Sequence, residues 1–96
     1  MTPGELERLA ILSEEMAEAQ QIIGKILRFG YEAYHPKSQS MDTNRYLLAT
    51  ELGHVQNAIS MLCGGDIDQN QVDISRARKA IEIREYLRHQ KEGSGD

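Results

Sequence analysis

The sequence predicts an all-α protein with three helices, and three kinds of observation support this fold class. Apolar residues recur every three or four positions over long segments, which is the spacing of a helix with one buried face. A helix-start signal, Thr2-Pro3-Gly4-Glu5, precedes the first of these segments. Glycines interrupt the spacing at Gly30 and at Gly64-Gly65, where we expect helices to end.

The first predicted helix runs from Thr2-Pro3-Gly4-Glu5 to about Phe29. The threonine can cap the helix, the proline suits its first position, and the glutamate completes a capping box. Gly30 follows and suits the positive φ angle at which helices commonly end. The next segment, residues 31–42, carries a proline and several small polar residues, and it therefore predicts a loop.

Two more helices are predicted after this loop. Asp42 or Thr43 can cap a second helix that runs to about Cys63 and is interrupted by Gly64-Gly65-Asp66. A third helix is expected from about Gln71 to Gln90. Its apolar residues fall on two sides, which suits a helix that contacts two neighbours.

The length of 96 residues predicts one domain over residues 1–91, followed by a polar, glycine-rich flexible tail at residues 92–96. Three helices of this size bury only a modest core. We therefore expect the first two helices to form half of a four-helix bundle that a second subunit completes, with the third helix packed across the outside. The predicted assembly is a homodimer or a dimer of dimers.

Charge and hydropathy exclude two classes of partner. The net charge is −4, and no cluster of Lys or Arg is long enough to be a nucleic-acid footprint. No segment approaches the roughly 20 apolar residues that span a bilayer, so we expect no membrane association. The sequence opens without a charged and then apolar leader, and its one cysteine, Cys63, cannot form an intrachain disulfide. A cytoplasmic protein is therefore predicted.

Two pairs of polar residues fall within the apolar faces of the first two helices. On a helical wheel, Glu15 and Glu18 share the apolar face of the first helix, and Glu51 and His54 share that of the second. Burying an ionised carboxylate without a partner costs several kcal/mol or more. The simplest partner for several carboxylates is a cation, and residues three apart can reach the same ion.

Oxygen-rich ligation of this kind suits Mg²⁺ or Mn²⁺. Because Mg²⁺ typically keeps coordination positions for water and phosphate oxygens, the pattern indicates a polyphosphate substrate. A solvent-exposed Glu-x-x-Glu is common on helices. The position of both pairs within apolar faces is what favours a metal site here.

These residues resemble the motifs of a known family, the MazG-like all-α nucleoside triphosphate pyrophosphohydrolases. That family carries Glu-Glu-x-x-Glu on one helix and Glu-x-x-Asp on the next, and residues 12–18 and 51–55 look like these two segments. Residues 24–30 are similar to the basic helix end of short, phage-type members, and Asn44-Arg45 resembles the start of their second helix. The resemblance extends over roughly residues 7–65.

The resemblance implies an enzyme that hydrolyses a ribo- or deoxynucleoside triphosphate between its α- and β-phosphates, releasing a monophosphate and pyrophosphate. The implied Mg²⁺ or Mn²⁺ ligands are Glu15, Glu18, Glu51 and His54. Glu14 is the implied catalytic residue, which orients or deprotonates the attacking water. Lys25 and Arg28 are candidates for binding the substrate phosphates, although both also suit the C-terminal end of a helix without any ligand.

His54 stands where the family has Asp. Imidazole suits Mn²⁺, Fe²⁺ or Zn²⁺ better than Mg²⁺, and it brings no negative charge. Three roles remain open for His54. It can ligate a transition metal, it can hydrogen-bond to Glu51 or Glu15, or it can mark a protein that has lost catalysis and retains only nucleotide binding.

Two other functions compete with the hydrolase. Glu51-x-x-His54 is also the helix motif of di-iron carboxylate bundles, although this chain would need a symmetric dimer to supply two such motifs. The other is a non-catalytic nucleotide-binding or regulatory protein, or an interaction module. In an interaction module, the acidic pairs would form ion pairs with arginines of the third helix, namely Arg76, Arg78 or Arg84.

The sequence selects neither a base nor a sugar. Aromatic residues near the predicted loop are candidate walls of a base pocket, although ordinary packing explains aromatic residues equally well. They are Phe29, Tyr31, Tyr34 and Tyr46. Whether a signalling nucleotide is the substrate, and which biological role the protein has, also stay open.

Overall fold

The computed structural model describes residues 1–90, which contain three helices and no β-strand. The helices are α1 (Pro3–Phe29), α2 (Asn44–Leu62) and α3 (Gln69–Arg84), so the predicted all-α class is confirmed. By its backbone contacts the chain divides into two compact units, Met1–Asp66 and Ile67–Asp96. None of the three helices is long and apolar enough to cross a membrane. The predicted flexible tail, residues 92–96, lies outside the described residues.

Helix α1 begins and ends where the sequence predicted. The side-chain oxygen of Thr2 accepts a hydrogen bond from the Glu5 N–H at 3.1 Å, and the Glu5 carboxylate accepts one from the Thr2 N–H at 2.8 Å. At the other end, the Gly30 N–H donates to the Ile26 carbonyl at 2.7 Å. Gly30 has a φ of 94°, which glycine adopts without a Cβ clash.

Helix α2 begins after Thr43, one of its two predicted caps. The Thr43 hydroxyl accepts a hydrogen bond from the Tyr46 N–H at 3.2 Å. The helix ends at Leu62, one residue before the predicted end, and Gly64 follows with a φ of 89°. A threonine cap and a glycine turn therefore bound α2 as the sequence indicated.

The loop between α1 and α2 is tied to the first residues of α2. The Asn44 N–H donates to the Ala33 carbonyl at 2.8 Å, and the Arg45 N–H donates to the Tyr31 carbonyl at 2.9 Å. The Asn44 side-chain amide donates to the Gly30 carbonyl at 3.1 Å. These bonds satisfy backbone donors that the start of a helix leaves unpaired, and they hold the loop in place.

Helix α3 differs from the predicted span of 71–90. Asp68 caps it by accepting a hydrogen bond from the Gln71 N–H at 3.1 Å, so the helix begins two residues earlier than expected. At the other end the Tyr86 N–H donates to the Ile83 carbonyl, three residues back. Such tighter bonds are typical of the last turn of a helix. The prediction of helix for residues 85–90 was therefore wrong.

Helices α1 and α2 pack against each other as an antiparallel hairpin with a small interior. The buried apolar residues of the described chain are Ala19, Ala58 and Leu62. Alanines at two of these three positions let the helix backbones approach closely. Two polar residues, Asn44 and Glu51, are buried with them.

The hairpin carries an open apolar groove of about 700 Å³. Both helices line it, and the residues are Leu9, Leu12, Ser13, Met16, Ala17, Ala19, Gln20, Ile23, Leu52 and Val55. Several of its large apolar side chains are exposed in the single chain, among them Met16 and Leu52. Contiguous exposed apolar surfaces are commonly interaction sites in proteins.

One ion pair joins the start of α1 to the turn that follows α2. Arg8 donates from Nε and Nη2 to the two carboxylate oxygens of Asp66 at 2.6 and 2.9 Å. Paired bonds of this kind are the strong form of an arginine–carboxylate contact. The hydrogen bond from Arg8 lowers the pKa of Asp66 below its ordinary value.

We expect Asp66→Asn to lower the Tm by a few degrees at neutral pH, because it removes the charged partner of Arg8. The pKa of Asp66 is lower in the folded chain than in the unfolded chain. Its contribution to stability is therefore present above about pH 4, the ordinary Asp value, and is lost as the pH falls through the lowered folded pKa. Thermal unfolding of the wild type and of Asp66→Asn, from neutral to strongly acidic pH, measures how their difference in Tm depends on pH.

Glu32→Gln is the matched control for Asp66→Asn. Glu32 pairs with Arg45 at 2.6 Å, but both side chains are more than half exposed, so solvent weakens this pair. We expect a smaller loss of Tm from Glu32→Gln. Equal losses in the two variants, or a loss at Asp66 that persists in strong acid, would contradict the role given to the Arg8–Asp66 pair.

Candidate metal centre

Two carboxylates and an imidazole meet where α1 faces α2. Glu15 comes from α1, and Glu51 and His54 come from α2. Their ligand atoms all lie within 4.8 Å of one another. His54 Nδ1 lies 3.2 Å from an oxygen of Glu15 and 3.4 Å from an oxygen of Glu51. We call these three residues the acidic cluster.

Local sequence explains why these side chains meet. Glu51 and His54 are three residues apart and so share one face of α2. Ala19 lies one turn after Glu15, and Ala58 lies one turn after His54, and both alanines are buried. The two helices pack together along this stretch, and Glu15 of α1 there comes within reach of Glu51 and His54 of α2.

Glu51 is the buried member of the acidic cluster. Its side chain is only 8% exposed, and its Oε1 atom has no hydrogen-bond partner among the described residues. Burial, together with the neighbouring carboxylates of Glu18 and Glu15, raises the pKa of Glu51, while His54 acts in the opposite direction. A buried acceptor without a partner destabilises the fold. A cation at this position would remove that cost, so the residues fit a metal site.

The acidic cluster is open on one side. The side chain of Glu15 is 20% exposed and that of His54 is 54% exposed, whereas Glu51 forms the buried floor. Open access is what a catalytic metal site needs, because substrate and water must reach the ion.

The expectation that both pairs point into the core holds only in part. Glu51 is buried and Glu15 is largely covered, but Glu18 and His54 are exposed in the single chain. Two helices can cover only one side of each other, so residues at the edge of an apolar face stay in solvent. Glu18 is nevertheless near enough to Glu51 for its carboxylate to raise the pKa of Glu51, but it is not one of the three residues whose ligand atoms meet.

The other predicted site residues lie outside the acidic cluster. Glu14 is exposed next to Glu15, Lys25 is half-buried, and Arg28 is exposed with its guanidinium carbon 5.6 Å from the centre of the Phe29 ring. Within residues 1–90, neither Lys25 nor Arg28 forms an ion pair. Lys25 lies ten residues after Glu15, about 15 Å along the helix axis. Arg28 is about 20 Å from Glu15 along the same axis, so neither cation lies beside the acidic cluster.

His54 faces both carboxylates through the same ring nitrogen. A protonated Nδ1 would donate to Glu15 or Glu51, whereas a deprotonated Nδ1 can ligate a cation between them. The geometry therefore suits two of the roles that the sequence left open, the hydrogen-bonding role and the ligand role.

Asn44 is a buried polar residue that no sequence motif marked as a site residue. It precedes Glu51 by seven residues, so the two lie on the same face of α2, two turns apart. The seven-residue spacing from Glu51 was the sequence signal that could have indicated Asn44 as a site residue. An asparagine at the start of a helix is, however, usually an exposed cap.

Comparison with known proteins found no match to a protein-family model, a curated protein or a solved structure. The acidic cluster must therefore be interpreted from its own chemistry and from the motifs that carry it.

We expect Mn²⁺ or Mg²⁺ to raise the Tm of the wild-type protein and to leave the Tm of Glu51→Gln unchanged. An ion that binds only the folded state stabilises it by about 2.7 kcal/mol when its concentration is 100-fold above its Kd. Without a cation we expect Glu51→Gln to have a higher Tm than the wild type. Because the folded-state pKa of Glu51 is raised, its ionised form destabilises the fold above that pKa, and Glu51→Gln removes this cost at neutral pH.

Thermal unfolding with added cation, and again with a chelator, measures both effects. Glu7→Gln is the control, because Glu7 is an exposed glutamate of α1 outside the acidic cluster, and it should keep the full response to cation. A wild-type Tm that does not respond to cation, or an equal response in all three proteins, would contradict the metal site.

Proposed function

We propose that this protein is a metal-dependent nucleoside triphosphate pyrophosphohydrolase, which converts a ribo- or deoxynucleoside triphosphate to its monophosphate and pyrophosphate. The observation that carries the proposal is the unpartnered, buried oxygen of Glu51 within reach of Glu15 and His54. The order of the motifs supports it, since Glu14-Glu15-x-x-Glu18 precedes Glu51-x-x-His54 as in the MazG-like family. The single cysteine and the short, phage-type motifs favour a cytoplasmic protein of nucleotide metabolism.

The donor set of the acidic cluster suits a small divalent cation. Two carboxylates supply hard oxygen ligands, as Mg²⁺ and Mn²⁺ prefer, and Glu18 lies beside them. The imidazole of His54 moves the preference towards Mn²⁺. Glu15, Glu51 and His54 would hold the ion, and the remaining coordination positions would be free for phosphate oxygens and water.

A cation bound at the acidic cluster supplies Lewis-acid polarisation of the phosphate oxygens. Glu14, exposed beside Glu15, accepts the proton of the water that attacks the phosphorus. The bond between that phosphorus and the oxygen that bridges the α- and β-phosphates breaks, and the products are the monophosphate and pyrophosphate. Lys25 and Arg28 offset the negative charge of the phosphate chain.

We also propose that a second copy of the chain completes a four-helix bundle, as a homodimer or a dimer of dimers. The support is the apolar groove of about 700 Å³ along α1 and α2. The hairpin alone buries only three apolar residues among those described. Covering Met16, Leu52 and their neighbours would remove a large apolar area from water, at about 25 cal/mol for each Å².

A non-catalytic nucleotide-binding protein is the second candidate. The observation that favours it is the position of His54 Nδ1 within 3.4 Å of both carboxylates. A proton on this nitrogen can take the place of a cation, and a site that is satisfied in this way need not turn over substrate.

We expect the purified protein to hydrolyse at least one nucleoside triphosphate to the monophosphate and pyrophosphate, faster in Mn²⁺ than in Mg²⁺. Glu18→Gln should reduce the rate by about 10- to 100-fold, the scale of a lost group that supports a metal ligand, while the helix stays intact because Gln has a similar propensity. A panel of ribo- and deoxynucleoside triphosphates with each metal, with all phosphate products resolved, measures this.

Glu82→Gln is the control for the activity assay, since Glu82 is an exposed glutamate of α3, and its rate should equal that of the wild type. Release of diphosphate and phosphate instead of pyrophosphate would contradict the proposed bond cleavage. Nucleotide binding without turnover in either metal would favour the second candidate.

We expect Leu52→Lys to shift the protein from dimer to monomer, because it places a charge in the apolar groove. Met61→Lys is the matched control, since Met61 is similarly exposed on α2, does not line the groove, and lies on the opposite face of the helix, nine residues after Leu52. Sedimentation velocity at several concentrations measures both. A wild-type protein that remains monomeric at all concentrations, or a dimer in both variants, would contradict the proposed interface.

A further inference from the structure

A second cavity lies at the end of the hairpin where the loop joins α1 to α2. It has a volume of about 390 Å³ and is lined by Phe29, Ala33, Tyr34, His35, Pro36 and Asn44. We call it the loop cavity. None of its lining residues belongs to the acidic cluster.

The walls of the loop cavity suit a flat, apolar ring. Phe29 and Tyr34 supply aromatic faces, and Ala33 and Pro36 add apolar surface. A volume of several hundred Å³ with mostly apolar walls and a few polar groups is characteristic of a small-molecule site. Heterocyclic bases bind to aromatic side chains by stacking, whatever their identity.

Two polar side chains give the loop cavity a hydrogen-bonding pattern. Asn44 is 94% buried, its nitrogen donates to the Gly30 carbonyl, and its oxygen accepts no hydrogen bond from residues 1–90. His35 Nδ1 accepts a hydrogen bond from the Lys37 N–H at 3.1 Å, so the proton of the neutral ring is on Nε2. Two of the residues that line the cavity thus carry one acceptor and one donor that no residue among 1–90 occupies, and a nucleobase edge presents both kinds of group.

The loop that forms the cavity is held before any ligand arrives. The backbone of Asn44 and Arg45 binds the carbonyls of Ala33 and Tyr31. The Arg45 guanidinium carbon also lies 4.3 Å from the centre of the Tyr31 ring. A pre-formed cavity loses less entropy when it binds a ligand than a mobile loop does.

We propose that the loop cavity binds the heterocyclic base of the nucleotide, an inference that rests on the proposed function. Asn44 and Glu51 lie on one face of α2, seven residues and about 10 Å apart. That separation is comparable to the span from the base of a nucleotide to its phosphates. Half-buried Lys25 is on α1, beyond Glu18 in the direction of Phe29, where it can meet the phosphate chain between the two sites.

The loop cavity changes the set of candidate base-pocket walls. Phe29 and Tyr34 line it, as the sequence analysis suggested, whereas Tyr31 and Tyr46 do not. The Tyr31 ring is covered by Arg45 instead. His35 and Asn44 also line the cavity. The search for aromatic residues near the loop could not indicate these two polar residues.

Nucleosides, which have no phosphates, test the inference without the metal centre. We expect the full chain, in the presence of a chelator, to bind at least one of the common nucleosides, with NMR shifts at Ala33, Tyr34 and His35. Tyr34→Ala should weaken this binding by about 5-fold or more, the scale of one lost stacking contact. Tyr46→Ala is the matched control, because Tyr46 is about equally exposed and does not line the cavity, and it should bind like the wild type.

The outcomes separate this inference from the proposed function. Nucleoside binding that Tyr34→Ala weakens and Tyr46→Ala does not supports the loop cavity, even if no triphosphate is hydrolysed. Hydrolysis of triphosphates by a protein whose nucleoside shifts fall elsewhere, or that binds no nucleoside, overturns the loop cavity and leaves the proposed function standing. Equal weakening in both variants also overturns it.

Discussion

The close packing of α1 against α2 at Ala19 and Ala58 is the constraint on which the rest of the structure depends. Both alanines are buried, and in the same hairpin Glu15 of α1 meets Glu51 and His54 of α2. Two helices alone cover little surface, so most of the large apolar side chains remain on the outside of the hairpin. One feature thus accounts both for the polar cluster in the interior and for the apolar groove on the surface.

Much of the fold could be predicted because its signals are local. The capping box at Thr2, the glycine at Gly30 and the cap at Thr43 each act within a few residues, and each lies where the sequence indicated. The ends of α3 were less predictable. Its apolar residues have no clear phase, and its cap, Asp68, was not recognised as a start signal. Its end depends on a tight backbone turn, and no glycine or proline marks that turn in the sequence.

The candidate site could be predicted only at the level of each helix. Spacing placed Glu15 with Glu18 and Glu51 with His54, because residues three apart share a face. Spacing cannot say which side chain of one helix meets which of the other, and that depends on how α1 and α2 pack. The burial of Glu51 and the exposure of Glu18 follow from this packing. The loop cavity was less accessible still, since it depends on loop hydrogen bonds between residues more than ten positions apart.

The anchoring of the loop also affects how this chain can treat anions. A free helix N-terminus attracts phosphate, because its first N–H groups point outward and carry partial positive charge. In α2 those groups are already occupied, by the carbonyls of Ala33 and Tyr31 and by the hydroxyl of Thr43. The N–H groups at the positive end of this helix dipole therefore already donate to carbonyl and hydroxyl oxygens of the protein itself. Any phosphate recognition in this part of the molecule must come from cationic side chains or a bound ion, and will be correspondingly sensitive to ionic strength.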